Sequence, residues 1–307
     1  MNERLSSLRD SSHTLVMGIL NITEDSFSDG GRWLSASAAA EHGRQMASQG
    51  ADIIDIGAES TRPGAVRVDP ETEKSRVVTA VSNLSDLGIP LSIDTTRSSV
   101  ARAALEAGAS IINDVSGGQL DTEIPRVVAH SDCLYVVQHW RGWLTGGKPS
   151  GPDAPSSHYE QGVVPQVHAE LMRQVDAVLA AGVDPEKIVL DPGLGFSKPG
   201  PDLNMPLMRQ LELFKREGYP VLIGASRKRF IADILKSNET DAGDAGASDR
   251  GRNGTVAAAP SNERKDTATA VLSAFCEMEG AWAVRVHDVQ KTVDALAVAR
   301  AWKNSGR

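Results

Sequence analysis

Eight apolar runs of strand length punctuate this chain, and each passes at its carboxyl end into polar, charged or glycine-bearing residues before a helical pattern begins. They start at residues 16 (VMGIL), 51 (ADIIDIG), 89 (IPLSID), 109 (ASIIN), 133 (CLYVVQH), 187 (KIVLD), 219 (YPVLIG) and 281 (AWAVRVHDV). Helical spacing follows at 36–50, 70–87, 97–107, 123–130, 161–181, 203–217, 266–279 and 289–302. Continuous apolar runs suit strands buried on both faces, and such strands belong to parallel sheets. With aromatic residues at only 4%, the core must be built mostly of Val, Ile, Leu and Ala. Eight regular strand and helix units predict a single (β/α)8 TIM barrel with its site at the carboxyl ends of the strands. A doubly wound open sheet is the alternative, but no GxGxxG follows the first strand. The 307 residues could make two average domains, but the alternating pattern fits one barrel of roughly 250 residues, and the sequence shows no second domain and no internal repeat.

The remaining residues fall into three places. Residues 1–13 read as a flexible polar tail ahead of a barrel over 14–303. Two loops expected to be mobile follow the first and second strands. The polar, glycine-rich stretch 237–265 reads as a disordered insertion after the seventh strand, because it carries too little apolar surface to offset its ordering entropy. Residues 141–160 predict a further long loop.

A net charge of −8 argues against a scaffold that binds nucleic acid over a broad basic face. An anionic ligand must therefore be held by a local cationic cluster. Cys133 and Cys276 lie far apart without a CxxC, as buried reduced thiols do. The amino terminus lacks the apolar core of a signal peptide, and no run approaches a membrane span. A cytoplasmic protein with no membrane or nucleic-acid partner is the expectation.

Asp55, Asp94, Asn113 and Asp191 sit in or at the ends of separate predicted strands. Asp55 is as well explained by a cap or barrel-layer role as by function. Asp94, Asn113 and Asp191 would meet around one mouth, where carboxylates and an amide suit a planar heterocycle with ring N–H and amino donors. Arg62 after the second strand, Arg227 and Lys228 after the seventh, and Arg285 and His287 at the eighth supply positive charge; the loops after strands seven and eight often hold phosphate in this architecture, with Ser226 at a helix start. An anionic, phosphorylated substrate is expected. Asn21, at the end of the first strand, is the one credible Mg²⁺ ligand in its loop. His139 reads as a structural hydrogen-bonder, and none of the seven histidines has zinc spacing. Phe27 and Phe196 are loop aromatics suited to ring packing, although Phe196 also fits a core position.

Taken in order, GILNITEDSFSDGG, DIGAESTRPG, SIDT, INDVSGG, LDPGLGF, GASRK and RVHDV resemble the dihydropteroate synthase family, from about residue 15 to 302. The resemblance implies a (β/α)8 barrel, usually a homodimer. It implies a transferase of folate biosynthesis that joins 6-hydroxymethyl-7,8-dihydropterin pyrophosphate to 4-aminobenzoate, releases pyrophosphate and is a sulfonamide target. By motif, Asp94, Asn113, Asp191 and Lys228 would bind the pterin and Phe196 would pack on its ring. Asn21 would hold Mg²⁺, while Thr61, Arg285 and His287 would contact pyrophosphate. Phe27, Asp29, Arg62 and Pro63, with Lys228 and Ser226, would form the aminobenzoate pocket. The catalytic set implied is Lys228, Arg285, His287, Asp29 and Arg62.

Three positions depart from the family pattern. Gln138 stands where a methionine is common, Ala58 replaces the second glycine before Glu59, and the polar stretch after Lys236 is long. A corrinoid-serving pterin methyltransferase shares the barrel and the Asp/Asn set, but lacks the TRPG and SRK combination. A paralogue that only binds pterin is the non-enzymatic alternative, with Gln138 its best support.

Overall fold

A strand that is apolar on both faces must be covered twice, and this chain covers each strand with helices outside and with the other strands inside. The computed structural model describes residues 2–22, 36–59, 67–142, 157–244 and 259–306. In chain order the elements are α1 (Glu3–Arg9), β1 (Leu15–Asn21), α2 (Ala36–Ser48), β2 (Ile53–Gly57), α3 (Pro70–Leu84), β3 (Leu91–Asp94), α4 (Ser98–Glu106), β4 (Ile111–Asp114) and α5 (Glu123–Ala129). There follow β5 (Leu134–Gln138), α6 (Val163–Ala180), β6 (Ile188–Asp191), α7 (Pro201–Arg209), α8 (Leu211–Lys215), β7 (Leu222–Ile223), α9 (Arg229–Asp244), α10 (Asn262–Glu279), β8 (Ala283–Val286) and α11 (Val289–Asn304).

The strands pair in the order β6-β5-β4-β3-β2-β1-β8-β7, every pair parallel. A bridge between Leu190 and Val221 joins the two ends, with the Leu190 N–H donating to the Pro220 carbonyl at 2.8 Å. This closes the predicted (β/α)8 barrel.

Closure gives the period of two along each strand its meaning. Leu15, Met17, Ile53, Ile111, Leu134, Val136, Val189, Leu222 and Ala283 form one buried cluster inside the ring. Their strand neighbours Val16, Ile54, Ile56, Ile93, Ile112, Tyr135, Val137, Leu190 and Val284 pack outward into the helix layer. Counting on by two from the inner set reaches Asn21, Asp55, Asn113, Gln138, Asp191 and Arg285, and Asp94 is in register with Asn113. The apolar inner layers thus end in a polar ring at the carboxyl mouth.

Two expectations change. The amino terminus is helical rather than a flexible tail: Asn2 caps α1 by accepting from Leu5 N–H, Leu5 is buried, and Leu8 packs against the barrel interior. Trp282 Nε1–H fastens it by donating to the Leu8 carbonyl at 2.9 Å. Leu5 and Leu8 lie three residues apart, on one face of a helix too short to be stable without that packing. Parts of the stretch expected to be a disordered insertion are helical. Helix α9 carries on through residues 237–244, because extending an existing helix costs far less than nucleating one. Ser261 caps α10 by accepting from Arg264 N–H, so that helix starts at Asn262, before the expected Asp266. The rest of the insertion and the loops after β1 and β2 lie outside the described residues, as does most of the long loop after β5.

Candidate active site

Arg285 organises the mouth. Its guanidinium, on β8, donates from Nε to Asp55 Oδ2 at 2.5 Å and from Nη2 to Asp94 Oδ2 at 2.7 Å. Asn113 Nδ2 donates to the same Asp55 oxygen at 3.2 Å. Four strands therefore meet through one hydrogen-bonded set. That set leaves Asp55 Oδ1, Asp94 Oδ1 and Asn113 Oδ1 buried and without a partner among the described residues. Unpaired buried acceptors are costly, and donors from a ligand would satisfy them.

The charges are strongly perturbed. Burial pushes the Asp94 carboxyl up to about 7, against the pull of Arg285 and with a further push from Asp55. Burial raises Asp191 as well, opposed by Lys228. Burial lowers the Lys228 ammonium to about 8, opposed by Asp191. Burial acts downward on Arg285 too, but Asp55 and Asp94 together outweigh it and the guanidinium stays firmly charged.

Across the mouth, Lys228 Nζ donates to the Leu194 carbonyl and stands 4.7 Å from the centre of the Phe196 ring, a cation–π distance. A Cβ on Gly195 would stand 2.9 Å from Lys228 Cδ, so only glycine lets this stem cross the loop. Asp191 Oδ2 and Lys228 Nζ both flank Gly224, at 3.8 and 3.9 Å from where its Cβ would be. Phe196 is half-buried. Together these groups form a cationic and aromatic wall opposite the acceptors.

Ser226 Oγ lies 2.9 Å from His287 Nδ1 and accepts from His287 N–H at 3.2 Å, joining the ends of β7 and β8. Arg227 departs from its expected place in the anion cluster. It adopts a left-handed φ of 57° and pairs bidentately with Asp266 of α10, both bonds at 2.7 Å. The alternation of side chains through this turn sends Ser226 and Lys228 to the mouth and Arg227 to the helix layer.

Asn21 stands at the end of β1, its Oδ1 3.4 Å from the position of a Cβ on Gly57 and Asp94 Oδ2 3.9 Å from the same point. No group of three His, Cys, Asp or Glu among the described residues forms a metal cage. One amide oxygen beside a carboxylate nevertheless fits Mg²⁺, which takes few protein oxygens and completes its shell with water and phosphate. Gln138 is buried on the inner face, donating to the Val115 carbonyl at 3.3 Å, with its Cγ against Gly193. Phe27, Asp29, Thr61, Arg62 and Pro63 lie outside the described residues.

The structure thus gathers Asp94, Asn113, Asp191, Phe196, Lys228, Ser226, Arg285, His287 and Asn21 at one mouth. Sequence reasoning left Asp55 undecided, though its alternation with Ile53 already put it on the inner face. It did not single out Lys198, since nothing local separates a buried lysine from a surface one.

Comparison with known proteins agrees with this geometry. The sequence profile described as "Pterin binding enzyme" matches residues 17–287. The dihydropteroate synthase of Mycobacterium leprae is 47% identical over 291 residues, spanning 95% of this chain and 94% of that protein. The structure of Xanthomonas albilineans dihydropteroate synthase with 4-aminobenzoic acid superposes with a TM-score of 0.79 at 37% identity, covering 95% of this chain and 94% of that one. Yersinia pestis dihydropteroate synthase, in a sulfonamide drug complex, gives a TM-score of 0.79 at 30% identity, with 95% of each chain covered. With eight closed strands and a polar mouth matched along nearly their whole length, the chain belongs to the pterin-binding enzyme family, among its dihydropteroate synthases.

Proposed function

We propose that this chain condenses 6-hydroxymethyl-7,8-dihydropterin pyrophosphate with 4-aminobenzoate, giving 7,8-dihydropteroate and pyrophosphate. The observation that carries this reading is the set of orphaned acceptors on Asp55, Asp94 and Asn113, facing a wall built from Phe196 and Lys228. A reduced pterin has ring N–H and amino donors for the first and a flat π face for the second.

In the reaction the bond between the pterin methylene carbon and the pyrophosphate oxygen breaks, and the electron pair leaves with pyrophosphate. The aromatic amine donates its lone pair to the electron-poor carbon and sheds one proton to water or to the departing pyrophosphate. Asp94, Asn113 and Asp191 orient the pterin. Lys228 shares its charge between the ring and the second substrate, and Arg285 and His287 stabilise negative charge developing on the leaving group. No covalent enzyme intermediate is required. Asn21 would hold Mg²⁺, which when bound would neutralise phosphate charge. The motifs assign Thr61 to pyrophosphate and Phe27, Asp29, Arg62 and Pro63, with Ser226, to the aminobenzoate pocket. Because sulfonamides mimic aminobenzoate, they are expected to compete there.

A homodimer is part of this reading. Val271, Phe275 and Met278 of α10 are exposed at helical spacing beside exposed Val298 and Trp302 of α11, an apolar face suited to a second copy. Two buried free thiols agree with a cytoplasmic location, and no helix among the described residues is long and apolar enough to cross a membrane.

The test is dihydropteroate formation and pyrophosphate release by the purified protein with Mg²⁺ and the pterin substrate, with and without 4-aminobenzoate. Product dependent on both substrates is the expected result. Pterin binding without product would transfer the chain to the binding-only or methyltransferase class.

A further inference from the structure

We propose that Lys198 is a positioning residue for the pterin ring: its buried side chain clamps the loop between β6 and α7 so that Asp191 and Phe196 meet the ring together. The inference rests on the synthase reading above.

Lys198 lies outside the substrate-binding set and is only 1% exposed. Its Nζ has three neighbours at hydrogen-bond distance: the carbonyls of Gly193 at 2.8 Å and Phe196 at 2.9 Å, and His139 Nδ1 at 2.9 Å. Burial, with the charge of Lys228, pushes Lys198 well below its ordinary value; the geometry opposes that shift, because with Glu170 taking the His139 Nε2–H all three neighbours of Nζ are acceptors, matching an ammonium's three donors. His139 is held as an acceptor from its other side. Its Nε2 lies 2.8 Å from Glu170 Oε2, and Glu170 is fixed in turn by Arg141 at 2.7 and 2.6 Å and by Gln166 at 3.0 Å. Burial, with the charge of Lys198, lowers His139 to about 3 and keeps it neutral. The imidazole therefore bridges the ammonium and a carboxylate on α6.

Both carbonyls gripped by Lys198 belong to residues that set the pterin wall. Gly193 N–H donates to Asp191 Oδ1 at 2.7 Å, fixing that carboxylate. Phe196 carries the ring beneath Lys228. The Gly193 carbonyl also accepts from Phe196 N–H at 3.1 Å, so Lys198 closes a turn whose two ends each present one pterin contact. The rest of the loop is tied by neutral groups: Asn204 holds Gly195 N–H and the Lys198 carbonyl, and Tyr159 holds the Ser197 carbonyl. A buried ammonium is expensive where an amide would serve for simple loop closure, and its reach across the turn is what separates it from Asn204. Lys198 also feels the charge of Lys228, which serves both substrates, but no hydrogen bond among the described residues joins it to Ser226. The effect should therefore fall mainly on the pterin.

The test compares Lys198→Met with wild type in steady-state assays and by fluorescence titration with 6-hydroxymethylpterin. The variant should raise KM for the pterin pyrophosphate roughly tenfold or more, as lost positioning of one or two contacts implies. Its KM for 4-aminobenzoate should stay within about twofold. Unchanged pterin affinity overturns the assignment, as does an equal loss for both substrates, which marks a general packing defect. If Lys198→Met does not fold, His139→Asn and His139→Leu decide. Asn keeps an acceptor toward Lys198 and should bind pterin more tightly than Leu, and equal affinities refute the clamp. A wild-type protein that makes no dihydropteroate overturns the synthase reading, whereas a variant that matches an active wild type overturns only the role of Lys198.

Discussion

Replacing Asp55 by asparagine tests the mouth at its most connected point. Asp55 Oδ2 takes Arg285 Nε at 2.5 Å and Asn113 Nδ2 at 3.2 Å, in a fully buried setting. Asparagine keeps the volume and one acceptor but loses the charge, so no cavity forms. A charge-assisted hydrogen bond of about 1.5–3 kcal/mol becomes a neutral one of about 0.5–1.5 kcal/mol. Arg285 retains Asp94 at 2.7 Å, so the full cost of an unpaired buried charge is not incurred. The loss of guanidinium positioning is then about 1–2 kcal/mol, a fall in kcat/KM for the pterin substrate of roughly 5- to 30-fold.

A second readout separates this from loose packing. Asp55 pushes the Asp94 carboxyl upward, and Arg285, now shared with one carboxylate fewer, pulls it down. Removing Asp55 therefore moves the Asp94 titration below its value of about 7. Asp94 accepts pterin N–H groups best as a carboxylate, so wild-type affinity should weaken as the pH falls through neutrality. In Asp55→Asn the same weakening should come at lower pH. The assay is equilibrium binding of 6-hydroxymethyl-7,8-dihydropterin, which lacks phosphates that titrate in this range. A midpoint that stays put or moves upward, with kcat/KM within about twofold of wild type, refutes the coupling through Arg285.

Lys228→Ala removes the cation at the Phe196 face and the contact to Leu194, and should lower kcat/KM by about 10–100-fold while weakening both substrates; near-wild-type kinetics would reject its shared role. Phe275→Asp on the exposed face of α10 should convert a dimer to a monomer in sedimentation analysis, and an unchanged dimer would place the interface elsewhere. Leu5→Ala should cost about 2–3 kcal/mol in urea unfolding, because Leu5 is the buried side chain of α1; a change below about 0.5 kcal/mol would show that α1 contributes nothing to the barrel floor.

The legible part of this protein is the part written locally. Alternation along a strand is a property of neighbouring residues, so the inner face that carries Leu15, Ile53 and Ile111 also forecasts Asn21, Asp55 and Asn113. The loops after β7 and β8 were readable as an anion site because Ser226, Lys228, Arg285 and His287 are crowded into short segments. Helix ends were less legible: α9 runs past Lys236 and α10 starts before Asp266, since propagation and capping turn on small differences among the residues at each boundary. Helix α1 was missed because its seven residues carry only two apolar side chains able to pack, and their burial requires a barrel floor that the local sequence cannot display.

By itself the sequence determined a barrel of eight parallel strands, a polar mouth and the residue types that serve a pterin and an anion. Only the tertiary structure decided which charge answers which. Arg285 meets Asp55 across 230 residues of chain, Arg227 turns away to Asp266 across 39, and Lys198 reaches His139 across 59. The reason is physical: periodicity and propensity act over a few residues, whereas partner choice in a low-dielectric interior depends on distances that exist only once the ring has closed.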